Sequence, residues 1–258
     1  VSQSKKNWKK NLLVIGALWI ILLIASVTIL SSVVTPFLRT LQTQNLVSFD
    51  WGGYGVSSNV LFPQAEVTGI NGSWIVPKAT VTTGNTFSAI WIGIGGQSDE
   101  TLIQVGTEQD SVSGKEFYQI WYELLPNNSI PIKEVTIFPG DKITAAVTLV
   151  DSNSDSWRVE IRDESTGQGF SQDFSYNSSR RTAEWIVERP TVNNRMSTLN
   201  SFGSVTFTDA TAVVSDKVGT ISAFPNYEII MEDRQNNQLI TISDLNKDGS
   251  SFTISYNG

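Results

Sequence analysis

Apolar positions fall into two regimes along the chain. From Leu12 to about Val34 they run almost unbroken, interrupted only by small or hydroxyl residues such as Gly16, Ser26 and Ser31. That is roughly the 20 residues a helix needs to cross a bilayer core. From Asp50 onward they come in short β-branched and aromatic runs punctuated by Gly, Asn, Asp and Ser, a pattern of strands and turns. Strands are predicted at 73–76, 86–94, 101–105, 116–124, 132–138, 142–150, 157–162, 170–175, 183–188, 203–208, 211–214, 227–231, 238–242 and 251–256. Turn signals separate them, among them Pro139-Gly140-Asp141, Ser165-Thr166-Gly167 and Lys247-Asp248-Gly249. So many short strands predict an all-β domain, a sandwich of two antiparallel sheets with a closed barrel as the rival.

The flanks of the long apolar run orient it. Lys5, Lys6, Lys9 and Lys10 precede it and only Arg39 follows closely, which places the N-terminus inside and the β domain outside. The expected organisation is a cytoplasmic basic tail at 1–10, a transmembrane signal anchor at 11–34, a polar tether at 35–49 and a β domain at 50–258. A cleaved signal peptide is the alternative, and would make the domain secreted. The run is longer than a typical signal-peptide core and lacks a clear small-x-small cleavage site.

Inventory then excludes chemistry. The chain has no histidine and no cysteine, so a Ser-His-Asp triad, a Cys-His pair and a histidine-ligated zinc site are ruled out. Disulfides cannot stabilise it, and hydrolytic chemistry has to rest on carboxylates, amides, hydroxyls or lysine. Beyond residue 40 there are 25 acidic and 13 basic side chains. A domain about 12 charges negative lacks the basic footprint of a nucleic-acid binder. In an acid medium many of these groups would protonate and their repulsion would fall.

Strand periodicity places Glu184, Ile186 and Glu188 on one face of 183–188, and Phe117, Gln119, Trp121 and Glu123 on one face of 116–124. Trp91 and Gly93 share a side, as do Leu102 and Gln104. Neighbouring strands would join these into a patch of Trp, Gln and Glu suited to an extended ligand. An ordinary solvated sheet face fits the same pattern. The sequons at Asn71, Asn127 and Asn177 suit an exported surface or arise by chance. Asp244 to Gly249 starts like a calcium loop, but Ser255 stands where the closing carboxylate belongs, so a hairpin turn is expected and no metal.

Six motifs, in order, resemble the eqolisin glutamic peptidases over nearly the whole β domain. They are Asp50-Trp51-Gly52-Gly53, Gly72-Ser73-Trp74-Ile75-Val76-Pro77, Ala89-Ile90-Trp91-Ile92-Gly93-Ile94, Leu102-Ile103-Gln104-Val105-Gly106, Ile120-Trp121-Tyr122-Glu123 and Ala183-Glu184-Trp185-Ile186-Val187-Glu188. The resemblance implies a concanavalin-like sandwich with its active site on the concave face, acting on polypeptides without metal or cofactor. It implies a catalytic dyad of Gln104 and Glu188, with Trp51, Trp91 and Glu123 lining the substrate cleft. Glu188 would serve as general base and then acid, and Gln104 would hold the water and the oxyanion. A glutamate near its reference pKa of about 4.3 would give an acidic optimum. A monomer is expected. Departures are Gly95 and Gln119 where fungal members carry Asp, Arg189-Pro190 after Glu188 in place of an acidic residue, and the missing disulfide cysteines. Two other readings fit a β-sandwich: a carbohydrate-binding module, or a glycoside hydrolase using two of Glu123, Glu184 and Glu188.

Overall fold

The computed structural model of the protein describes residues 43–258. The basic tail, the anchor at 11–34 and the first part of the tether lie outside the described residues. Among the described residues no helix is long and apolar enough to cross a membrane.

Two eight-stranded sheets face each other. Numbered in chain order, the first runs β1 (Thr43–Ser48), β16 (Asn226–Met231), β2 (Trp51–Ser57), β11 (Thr182–Glu188), β4 (Ala89–Gly95), β5 (Leu102–Val112), β6 (Lys115–Leu124) and β7 (Ile130–Ile132). The second runs β10 (Gly169–Ser175), β9 (Ser156–Asp163), β8 (Lys142–Asp151), β3 (Val67–Ile75), β14 (Ser204–Val214), β18 (Phe252–Tyr256) and β17 (Ile240–Ile242), with β15 (Lys217–Thr220) also paired to β14. A small hairpin, β12 (Thr191–Val192) and β13 (Arg195–Met196), follows β11. Every pairing between these strands is antiparallel except β1 with β16. The sandwich is therefore the architecture, and the barrel alternative falls.

Alternation explains the layers. Along β9, Trp157, Val159 and Ile161 are buried while Arg158, Glu160 and Arg162 are exposed, as expected for a sheet with one face to water. β4 is different: all seven residues are buried. Its Ile90, Ile92 and Ile94 join the core between the sheets with Trp74, Trp157, Trp185 and Phe207, and Ala89 and Trp91 join a second apolar cluster with Leu102, Trp121, Ile186 and Tyr227. A strand covered on both sides reads as a continuous apolar run. With no disulfide in the chain, burial carries the stability, at roughly 1.5–3 kcal/mol for each large apolar side chain removed from water.

The strands differ from expectation in physically intelligible ways. β1 lies within the stretch read as a tether and forms the sheet edge. β2, rich in glycine, was not predicted. Its Gly55 faces the Tyr227 ring, where a Cβ would come within 2.2 Å of Cζ, so the glycine serves close approach, not a turn. Of the stretch predicted as a strand at 132–138 only Ile132 pairs, as the last residue of β7, Ile130–Ile132. The strands predicted at 203–208 and 211–214 are one strand, β14, with a register shift between Thr208 and Thr211 and Asp209 at φ 54°, as a bulge requires.

Candidate active site

β11 is inserted between β2 and β4, so the strands ending in Glu188 and beginning with Ala89 are neighbours. The registers of β2, β11, β4, β5 and β6 then align side chains of one face into three cross-strand rows. The first is Gly55, Glu184, Gly93, Gln104 and Glu123; the second Gly53, Ile186, Trp91, Gly106 and Trp121; the third Trp51, Glu188, Ala89, Glu108 and Gln119. The face predicted from periodicity exists, and it is not a plain solvated one.

Gln104 is 3% exposed. Its Nε2 donates to Glu123 Oε2 at 2.6 Å, which fixes the carboxamide, while its Oε1 is buried with no partner among the described residues. Glu188, at the end of β11, keeps one edge open to a cleft of about 390 Å³ lined also by Glu108, Asp110, Trp121, Glu123 and Val192. Trp91 Nε1 donates to Glu188 Oε2 at 2.7 Å. Trp91 itself is fully buried, and Trp51 packs on it edge to face with ring centroids 4.9 Å apart. Glu123 and Glu188 therefore meet at the cleft; Gln104 reaches it through Glu123, and the two tryptophans stand behind Glu188.

Loss of water dominates the electrostatics. It pushes Glu188 up to about 8, reinforced by Asp50, Glu123 and Glu108 and opposed by the Trp91 indole. Asp110 is likewise pushed up to about 8 by burial and then by Glu108, against the Ser88 backbone N–H. Burial also raises Glu108 and Glu123, each opposed by an amide, Gln119 and Gln104 respectively. The expectation of a glutamate near its reference pKa is thus corrected: four carboxyl groups share a space with too little water to solvate them all as anions. A fifth, Glu184, is sealed beneath the same face, accepts from Tyr227 at 2.9 Å and is pushed up to about 8 by burial.

Glu108 and Asp110 were not singled out from sequence. The signal was available: Gln104, Gly106, Glu108 and Asp110 alternate along β5, and a strand taken to end at 105 hid the last two. Among the described residues, no group of three or more acidic side chains is arranged to hold a metal ion.

A two-sheet sandwich is also what known proteins of similar sequence and fold point to. The chain is 31% identical to aspergillopepsin-2 of Aspergillus niger over 174 residues, covering 66% of this chain and 59% of that protein. It is 30% identical to scytalidopepsin B of Scytalidium lignicola over 159 residues, covering 60% and 56%. The chain thus spans less than two thirds of the length of these curated relatives. The fold matches the crystal structure of scytalido-glutamic peptidase with a peptide-based transition-state analog, at TM-score 0.68 and 22% identity over 81% of this chain and 99% of that one. Residues 50–256 match the Peptidase A4 family, and the chain belongs to it.

Proposed function

We propose that the protein is a glutamic endopeptidase that hydrolyses polypeptides at this cleft. The observation that carries the reading is that Glu123 and Glu188 line one cleft, with Gln104 clamped behind Glu123, in a Peptidase A4 chain. In the reaction, a Glu188 carboxylate takes a proton from water as the water oxygen adds to the scissile carbonyl carbon. One N–H of Gln104 is spent on Glu123; the other donates to the oxyanion, and the unpartnered Oε1 accepts from the attacking water. Glu188 then passes its proton to the leaving amine, and the C–N bond breaks. No metal or cofactor takes part.

The neighbours set the pH range. The first proton to leave the four-carboxyl set leaves most easily, because the others are still neutral, and apparent pKa values belong to the set. One charge in acid provides the base. Further ionisation as pH climbs toward 8 places negative charge beside a developing oxyanion and slows the reaction. This supports acid-side activity by a route other than an unperturbed glutamate.

The apolar run Leu12 to Val34 with its four preceding lysines supports display of the domain on the outer face of a membrane. The binding-module and glycosidase readings lose ground, because neither needs a glutamine clamped to Glu123.

The test is cleavage of a denatured protein substrate from about pH 2 to about pH 8 by the protein, Glu188→Gln and Gln104→Ala, with a pepstatin control. Acid-side cleavage that pepstatin spares and both substitutions abolish is expected; cleavage unaffected by Glu188→Gln would sink the reading.

A further inference from the structure

The hairpin β12–β13 has two sides. Pro190, Thr191 and Val192 line the carboxyl-rich cleft. Arg195, on the returning strand, lines a second hollow of about 460 Å³ together with Arg189, Asp233 and Arg234. The two hollows therefore share the hairpin as their common wall, and Arg189 is the residue immediately after Glu188.

Three of the seven arginines beyond residue 40 meet in that hollow, in a domain that is otherwise strongly acidic. Arg189 is held in place: its backbone N–H donates to Asp50 O at 2.7 Å and its Nη2 to Phe49 O at 2.6 Å. Its Nε is buried with no partner among the described residues. Arg195 and Arg234 are exposed, and among the described residues neither takes part in an ion pair or a side-chain hydrogen bond. Asp233 is the one acid at the rim. It is occupied by its own turn, accepting from the backbone of Gln235 and from the backbone and side chain of Asn237. Arg195 and Arg234 are left facing solvent without an ion-pair partner among the described residues, while Arg189 is partly offset by Asp50 and Asp233. A buried donor without an acceptor is a cost the fold carries unless a ligand satisfies it, and planar guanidinium forks match a carboxylate.

We propose that Arg189, Arg195 and Arg234 form an anion subsite that takes a carboxylate of the bound peptide, a few residues from the scissile bond. This rests on the peptidase reading and adds a substrate class to it. A chain running along the cleft past Pro190 and Val192 reaches the arginines by crossing the hairpin. An acidic residue there would be drawn in, while the same residue over the Glu188 side would meet four carboxyl groups. The subsite thus sets the register of an acidic substrate as well as its affinity. Guanidinium groups keep their charge at every working pH, so the subsite persists wherever the peptide carboxylate is ionised.

The test uses fluorescent peptides of one sequence in which a single Glu, or Gln as its neutral twin, is walked through the positions on either side of the cleaved bond. A further pair ends in a free carboxylate or a carboxamide. Binding and cleavage are measured separately, at about pH 5, on the protein and on an Arg195→Glu/Arg234→Glu variant checked for unchanged circular dichroism and melting. One Glu position, or the free terminus, is expected to bind about tenfold more tightly than its neutral twin, and the preference is expected to vanish or invert in the variant. The peptide that shows it tells a side-chain carboxylate from a terminal one. Equal affinity for every pair, or a preference that survives charge reversal, overturns the subsite. A preference in binding with no cleavage of any peptide leaves the subsite standing and removes the peptidase reading.

Discussion

The indole of Trp91 donates to the carboxylate of Glu188 across two adjacent strands, at 2.7 Å, from a position sealed against solvent. A hydrogen bond to the charged form lowers a carboxyl pKa, so this donor is what moderates the upward push of burial. Trp91→Phe keeps an aromatic ring and removes the donor. The Glu188 pKa should rise by about one to two units, given that hydrogen bonds to charged groups contribute roughly 1.5–3 kcal/mol. The acid limb of kcat/KM against pH should move upward by that amount; an unmoved limb would mean that Glu188 does not titrate in catalysis.

Glu184 and Asp110 are each pushed up to about 8 by burial. Between about pH 4 and about pH 8 the folded chain keeps protons that the unfolded chain releases. Stability from these groups is therefore complete below the ordinary carboxylate range and lost as pH rises through their folded values. The melting temperature should fall by several degrees between pH 5 and pH 8. Asp110→Asn, which cannot ionise, should reduce that fall and be stabilising at pH 8 relative to the parent. A flat or rising profile contradicts the burial of these groups.

Gly93 lies between Glu184 and Gln104 in their cross-strand row, and a Cβ there would stand 2.9 Å from Gln104 Cβ and 3.0 Å from Ile103 O. One of those contacts is backbone, so the glutamine has to give way. Gly93→Ala should lower kcat by about tenfold or more with little change in secondary structure, since small misplacements of a catalytic group are costly. Steady-state kinetics beside circular dichroism checks it; full activity would show that Gln104 tolerates displacement.

Tyr227 OH donates to Glu184 Oε1 at 2.9 Å with the Thr182 side chain also beside that carboxyl, and the other carboxyl oxygen is buried without a partner among the described residues. Tyr227→Phe should cost about 1–3 kcal/mol in denaturant unfolding, the usual penalty for orphaning a buried polar group. The double variant with Glu184→Met should recover much of it, because removing both partners leaves neither unsatisfied. A double variant no more stable than the single one would refute that assignment.

The sequence disclosed those parts of the fold in which one face meets water. β9 alternates cleanly and was read nearly to the residue. β2 was missed because glycine has low strand propensity, whereas its glycines are there for neighbours: Gly53 at φ 154° sits where a Cβ would strike Trp185 O, and Gly55 lies under Tyr227. Gln104, Glu123 and Glu188 were legible as residues of one face, since period-two alternation needs no knowledge of partners. Glu108 and Asp110 were lost with the far half of β5, where polar side chains face a crowded cleft and look, in one dimension, like a loop. The raised pKa of Glu188 could not be read at all, because it comes first from burial by the folded sheet and then from residues up to 138 positions away in the chain, Asp50 among them.

The insertion of β11 between β2 and β4 also has a temporal meaning. The strand that brings Glu188 is made long after the strand that brings Gln104, and it reaches its place only by entering between two segments already synthesised. Such distant pairings form late in folding. A half-made chain thus holds Gln104 without Glu188 in position, so the cleft is completed only once β11 has entered the sheet.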